Sequence, residues 1–175
     1  MRSLERAKTW IIKQDESWFY LCNQWPALIV VFFKNMTHLG GARFTIGLQL
    51  LLYLFGPAEM KPFVILASLS LVVSHIIVMC IKKIVKRIRP YMALPQAKVH
   101  GYLFNDHSFP SGHSTAIFSI MIPYSMYDPY VASILLPVAC LVAFSRVVLG
   151  VHYPTDILVG SLIGSLTAVV FSFWL

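Results

Sequence analysis

Three short stretches place polar and charged side chains at the ends of long apolar runs: Lys82-x6-Arg89-Pro90, Pro110-Ser111-Gly112-His113 and Ser145-Arg146-x5-His152-x3-Asp156. Three cations, two imidazoles and a carboxylate meeting at a lipid interface point to cleavage of a phosphate from a lipid. Each charge at a membrane edge costs roughly 2.5 to 3.5 kcal/mol on insertion scales. Gathering Lys82, Arg89, Arg146 and Asp156 at one depth therefore needs compensation, and a bound phosphate supplies it.

Lys82 and Arg89 are seven residues apart, which nearly restores the same direction at 3.6 residues per turn. The spacing predicts that one helix turns both towards one cavity before Pro90 ends it. An arginine fork holds two phosphate oxygens, and a lysine adds a compact charge that tolerates movement. With Lys83, Lys86 and Arg87, the same stretch also reads as an ordinary basic cuff. Ser111 is a good helix N-cap and Gly112 admits a ligand close to the backbone, so the next span would offer free amides to an anion beside His113. The plain alternative is a Pro-Ser-Gly turn followed by an interfacial histidine. Farther on, Gly150 can turn the chain and Pro154 can start a helix. Asp156 can then accept from one nitrogen of His152, leaving the other unprotonated, which fixes the tautomer and raises nucleophilicity. Otherwise Asp156 only caps its helix.

Helices must carry these residues. The chain has 175 residues, 58% hydrophobic and 12% charged, against roughly 25% charged in a soluble domain. It reads as one all-α domain over 1–175, a polytopic membrane helix bundle. Cys22, Cys80 and Cys140 are scattered in apolar surroundings and indicate neither a disulfide framework nor a metal site. The charged start lacks the apolar core of a signal peptide. Residues 1–36 read as an interfacial amphipathic segment, within which 26–33 is too short to span and is interfacial or re-entrant. Residues 37–175 then form the catalytic helical core. Five spans are expected, at about 42–55, 62–87, 114–127, 129–149 and 155–175, with Gly56-Pro57, Arg89-Pro90 and Asp128-Pro129 as stops. Threading them puts all three motifs and the N-terminus on one membrane face.

At this point the sequence resembles the type 2 phosphatidic acid phosphatases, the membrane lipid phosphate phosphatases related to vanadium haloperoxidases and glucose-6-phosphatase. All signature positions match, including the context Gly150-x-His152-Tyr153-Pro154-x-Asp156. Thr37-His38-Leu39-Gly40 is similar to a polar turn before the family's core spans, so the resemblance covers about 37–175. Bacterial members commonly have six spans, against the five read here. The resemblance implies that His152 attacks phosphorus to form a phosphohistidine, that Asp156 orients it, and that His113 protonates the departing alkoxide and later activates water. It further implies that Lys82, Arg89, Arg146, Ser111 and Gly112 bind the phosphoryl oxygens, with no metal or other cofactor. The sequence itself has no carboxylate cluster for a two-metal site.

The expected partners are a phosphorylated membrane lipid and the bilayer. Phosphatidylglycerophosphate, phosphatidic acid, undecaprenyl diphosphate and the lipid A 1-phosphate group all fit. Tyr91, Met92, Leu94, Tyr102, Leu103 and Phe104 read either as an apolar lid or as an interfacial aromatic belt. The net charge of +7 does not indicate nucleic acid, because the basic residues sit beside apolar spans where anionic lipid is the better partner. No residue pattern marks a dimer face. A non-hydrolytic lipid-binding or transport protein is the main alternative, and haloperoxidase-like vanadate chemistry a second. The multi-pass chain is expected in a bacterial cell membrane. Outside Lys82, Arg89 and Arg146, ten of the eleven Lys and Arg residues lie on the motif face. The positive-inside rule thus places that face in the cytoplasm, whereas bacterial relatives usually face outward.

Overall fold

The computed structural model describes residues 2–173, with side chains from Glu5 onward. Met1 and the last two positions of the fifth expected span lie outside the described residues. Among the described residues eight α-helices follow one another: α1 (Arg2–Asn23), α2 (Ala27–Met36), α3 (Ala42–Phe55), α4 (Lys61–Val85), α5 (Pro90–Ala93), α6 (Gly112–Tyr127), α7 (Pro129–Val148) and α8 (Pro154–Ser172). Thr37–Gly40 and Ala58–Met60 are 3-10 turns.

The helix boundaries follow local chemistry. Proline begins α5, α7 and α8, where its missing amide costs nothing and its fixed φ suits the first turn. Asp128 caps α7 by accepting from the Tyr130 amide at 2.7 Å. The end of α4 corrects the sequence reading. Lys82 and Arg89 do not share a helix: α4 stops at Val85, Lys86 takes the left-handed conformation at φ 50°, and Arg89 is extended ahead of Pro90. That left-handed turn closes with the Lys86 amide on the Lys82 carbonyl at 3.2 Å.

By length and apolarity, three helical segments among the described residues suffice to cross a membrane: Ala58–Ala93, Pro129–Val148 and Pro154–Ser172. At 14 and 16 residues, α3 and α6 are shorter. The shorter α6 is the hub, packed against α4, α7 and α8 and buried on most of its surface. Close approach of α8 rests on Gly160 and Gly164, spaced four apart on the face that meets α6. A Cβ on Gly160 would stand 2.5 Å from the Ser111 carbonyl oxygen, and one on Gly164 2.4 Å from that of Thr115. Within the layer, Tyr124 donates to Gln49 Oε1 at 2.7 Å, satisfying polar atoms that lipid could not.

The N-terminal segment is helical throughout and half committed to the bundle. On α1, Asp15, Phe19 and Cys22 turn inward and are buried, while Trp10, Trp18 and Leu21 are exposed on the other side. That division suits a helix lying at the headgroup level. Residues 26–33 belong to α2, which packs on α7 through Val30 and Phe33.

Gly164→Val is expected to lower the thermal midpoint in detergent, by an overpacking cost of about 1–3 kcal/mol. Gly47→Ala, where a Cβ meets nothing within 4 Å, should leave the midpoint unchanged or raise it by helix propensity. A Gly164→Val protein as stable as wild type would show that α6 and α8 do not pack this closely.

Candidate active site

The C-terminal ends of α4 and α7 and the N-terminal starts of α6 and α8 converge, as threading the spans requires. Ser111 caps α6, accepting from the Ser114 amide at 3.4 Å, and its own amide donates to the Asp156 carbonyl at 3.0 Å. This ties the start of α6 to the first turn of α8. Beside Gly112 a Cβ would meet nothing within 4 Å, so the free amides of α6 border open space where an anion could approach.

His152 lies in the connection between α7 and α8 and is 2% exposed. Its Nδ1 stands 3.4 Å from Asp156 Oδ2, a loose contact, and that oxygen also accepts from the Tyr153 amide at 2.8 Å. The other ring nitrogen, Nε2, lies 3.3 Å from an Arg89 guanidinium nitrogen, which donates to the Val151 carbonyl at 2.9 Å. Burial pushes the His152 imidazole well below the usual histidine range, and the charges of Arg146, Arg89 and Lys82 push it further. Both effects favour the uncharged ring.

Arg146 is buried and donates to Thr37 Oγ1 at 2.7 Å, while its Nε has no hydrogen-bond partner. Phe104 ties the pocket together. The Arg89 and Arg146 guanidiniums lie 4.8 and 5.2 Å from its ring centroid, and the His113 ring meets it edge-on at 6.2 Å. His113 also borders a cavity of about 400 Å³ that continues past Arg146 to Lys34, His38 and His100. Of the residues read as a possible lid, Phe104 is folded into the site and its carbonyl accepts from Tyr91 Oη at 2.6 Å. Tyr102, Leu103 and Met92 stay exposed.

Two features were missed in the sequence. Asp106 joins the cations of the first motif: its carboxylate accepts from Lys82 Nζ at 2.6 Å and from Arg89 at 2.5 Å. Burial would raise the Asp106 carboxyl, but hydrogen bonding and charge from Lys82 and then Arg89 outweigh it and hold it at about 2. Arg87 is no surface cuff either. It bonds Asp156 Oδ1 at 2.8 Å, Thr155 Oγ1 at 2.8 Å and Asp15 Oδ2 at 2.7 Å, with its guanidinium 3.8 Å over the Tyr153 ring. Asp15 lies so far from the motifs in sequence that only a helix-period pattern placing a charge on a buried face could have exposed it.

The fold and these contacts define a membrane helix bundle with cations, imidazoles and carboxylates gathered at one end of its core. The chain belongs to the PAP2 superfamily, whose family model matches residues 63–175. It is 33% identical over 111 residues to the bacitracin transport permease protein BcrC of Bacillus licheniformis, covering 63% of this chain and 54% of that protein. Over 103 residues it is 30% identical to an undecaprenyl-diphosphatase of Sulfolobus acidocaldarius, covering 56% and 50%. The chain spans about half the length of the curated relatives it matches. The crystal structure of Aquifex aeolicus LpxE superposes with a TM-score of 0.80 at 28% identity, covering 90% of this chain and 93% of that one.

Because the Asp106 carboxyl is held below its ordinary range, its ion pairs contribute fully above that range and are lost only as pH falls towards about 2. The gap in thermal midpoint between wild type and Asp106→Asn is therefore expected to stay constant from about pH 8 to about pH 5. A gap that narrows over that interval would mean the carboxyl titrates there.

Proposed function

We propose that this protein hydrolyses a phosphomonoester or diphosphate of a membrane lipid through a phosphohistidine intermediate. The observation that carries this reading is the position of His152: one ring nitrogen backed by Asp156, the other 3.3 Å from a guanidinium nitrogen of Arg89, next to Val151, which lines a cavity with Arg146 and His113. In the reaction, His152 Nε2 attacks phosphorus as the bond to the leaving oxygen breaks. Lys82, Arg89, Arg146, Ser111 and the Gly112 amide bind the phosphoryl oxygens, with Asp106 withdrawing to free two of the cations. His113 gives its proton to the leaving oxygen and then takes one from the water that releases phosphate from His152. A retained His–Asp pair facing three cations favours turnover over simple lipid binding or transport.

Past His113 the cavity lies on the leaving-group side, and its far end is basic at Lys34 and His38. A leaving group that is itself an anion fits this lining, which favours a polyprenyl diphosphate over a phosphomonoester. The name of the Sulfolobus relative agrees with that choice. We further place the protein in the cell membrane with its site on the cytoplasmic side, by the positive-inside rule.

His152→Ala is expected to abolish phosphate release and to leave no acid-labile phosphoenzyme, while a chelator leaves wild-type turnover intact. Normal turnover by the variant would remove the nucleophile. His113→Ala should lose far more activity on a lipid phosphate than on an activated aryl phosphate, whose leaving group needs no proton. On a polyprenol carrying either one or two phosphates, Lys34→Ala should lower kcat/KM for the diphosphate selectively. Equal losses on both would count against a charged leaving-group site. For sidedness, single cysteines at Asp128 and Lys98 in a chain without its native cysteines should be labelled from outside the cell at Asp128 alone, and the reverse pattern would invert the orientation.

A further inference from the structure

The carboxylate behind His152 is itself held by a second ion pair that reaches the N-terminal helix. Asp15, 2% exposed, leaves the inner face of α1 and accepts from Arg87 at 2.7 Å; it also accepts from the Thr155 amide at 2.9 Å and from the Thr155 hydroxyl. Arg87 uses its other terminal nitrogen on Asp156 Oδ1 and on Thr155 Oγ1, both at 2.8 Å. The two oxygens of Asp156 are thereby divided: one faces Arg87, and the other faces the Tyr153 amide and His152 Nδ1. Arg87 is fixed sideways by the Tyr153 ring below it. Neither Asp15 nor Arg87 lines the cavity bordered by His113 and Arg146.

We infer that Asp15 and Arg87 are positioning residues for the proposed hydrolysis, setting through Asp156 both the orientation and the proton affinity of His152. Arg87 draws negative charge away from the Asp156 oxygen that faces the imidazole, and Asp15 in turn moderates Arg87. The two side chains therefore act on His152 with opposite sign. The amphipathic helix that carries Asp15 belongs to the catalytic apparatus, since its inner face completes the support of the nucleophile while Trp10 and Trp18 lie outward. This inference rests on the hydrolase reading for its meaning, but its electrostatic content does not require turnover.

Other charges also face His152: Lys82 at the end of α4, Arg89 beyond it, Arg146 on α7, His113 on α6, and Asp106 in the loop before α6. Glu16 on α1 acts on the neighbouring Tyr153. None of these is altered in the variants that test the inference, so shifts between variants report on Asp15 and Arg87.

The experiment is a titration of ¹⁵N-labelled His152 by NMR in detergent, run beside kcat/KM against pH on a lipid diphosphate, for wild type, Arg87→Gln, Asp15→Asn and Asp15→Glu. Loss of Arg87 should raise the imidazole titration point and move the acid limb of kcat/KM upward, because Asp156 then holds a proton on the ring more strongly. Asp15→Asn keeps the hydrogen bond to the Thr155 amide and should move both downward, with Asp15→Glu restoring them towards wild type. Arg87→Gln should also lower kcat about 10- to 100-fold with KM little changed, the scale on which supporting partners of functional histidines act. Coincident titrations in all four proteins, with the variants losing only thermal stability, would reduce the pair to a structural clamp and overturn the inference. Wild type that releases no phosphate would defeat the hydrolase reading separately, while opposite NMR shifts would still sustain the electrostatic coupling.

Discussion

Like charge held at close quarters in a medium of low dielectric is the constraint on which the rest of this structure depends. Lys82, Arg87, Arg89 and Arg146 gather at one end of the bundle. They repel one another, and beyond the effect of burial Arg146, Arg89 and Lys82 push protons off the His152 imidazole. Each cation is therefore answered locally: Asp106 takes Lys82 and Arg89, Asp156 and Asp15 take Arg87, and Phe104 offers its π face to Arg89 and Arg146. Arg146 alone has no carboxylate, and its Nε lacks any hydrogen-bond partner.

The helices exist at these lengths and angles to maintain that arrangement. Two helix starts and two helix ends have to meet at one level, which a short, enclosed α6 achieves because α8 presents glycine where it crosses. The same contacts that stabilise the core thus also hold the start of α6, since the carbonyl of Ser111 lies against Gly160. The loop bearing Phe104 and Asp106 packs beside it through Arg89 and His113.

Much of this was legible in the sequence. The apolar runs and their proline stops gave the core helices to within a few residues, and threading them forced the three motifs to one end. What escaped had physical reasons. The heptad spacing of Lys82 and Arg89 imitates a shared helical face, but a left-handed lysine at position 86 ends the helix between them, and no sequence signal announces that conformation in a non-glycine residue. Arg87 was hidden in a run of basic residues whose collective explanation was sufficient. Asp15 and Asp106 are single carboxylates in polar stretches, and their significance lies wholly in tertiary contact.

Asn23 gives the last step. Buried at the end of α1, it donates to the carbonyls of Lys98 and Val148 and accepts from the Lys98 amide at 2.7 Å, against a Gly150 whose positive φ leaves no room for a side chain. Three segments far apart in the chain are knotted by one amide. During synthesis the first helix must therefore wait until the seventh has emerged before its own polar end is satisfied, and contacts of such long range form late. A nascent chain has no finished core at this end, so the meeting of α1, α7 and the Lys98 loop is completed only when the whole bundle is closed.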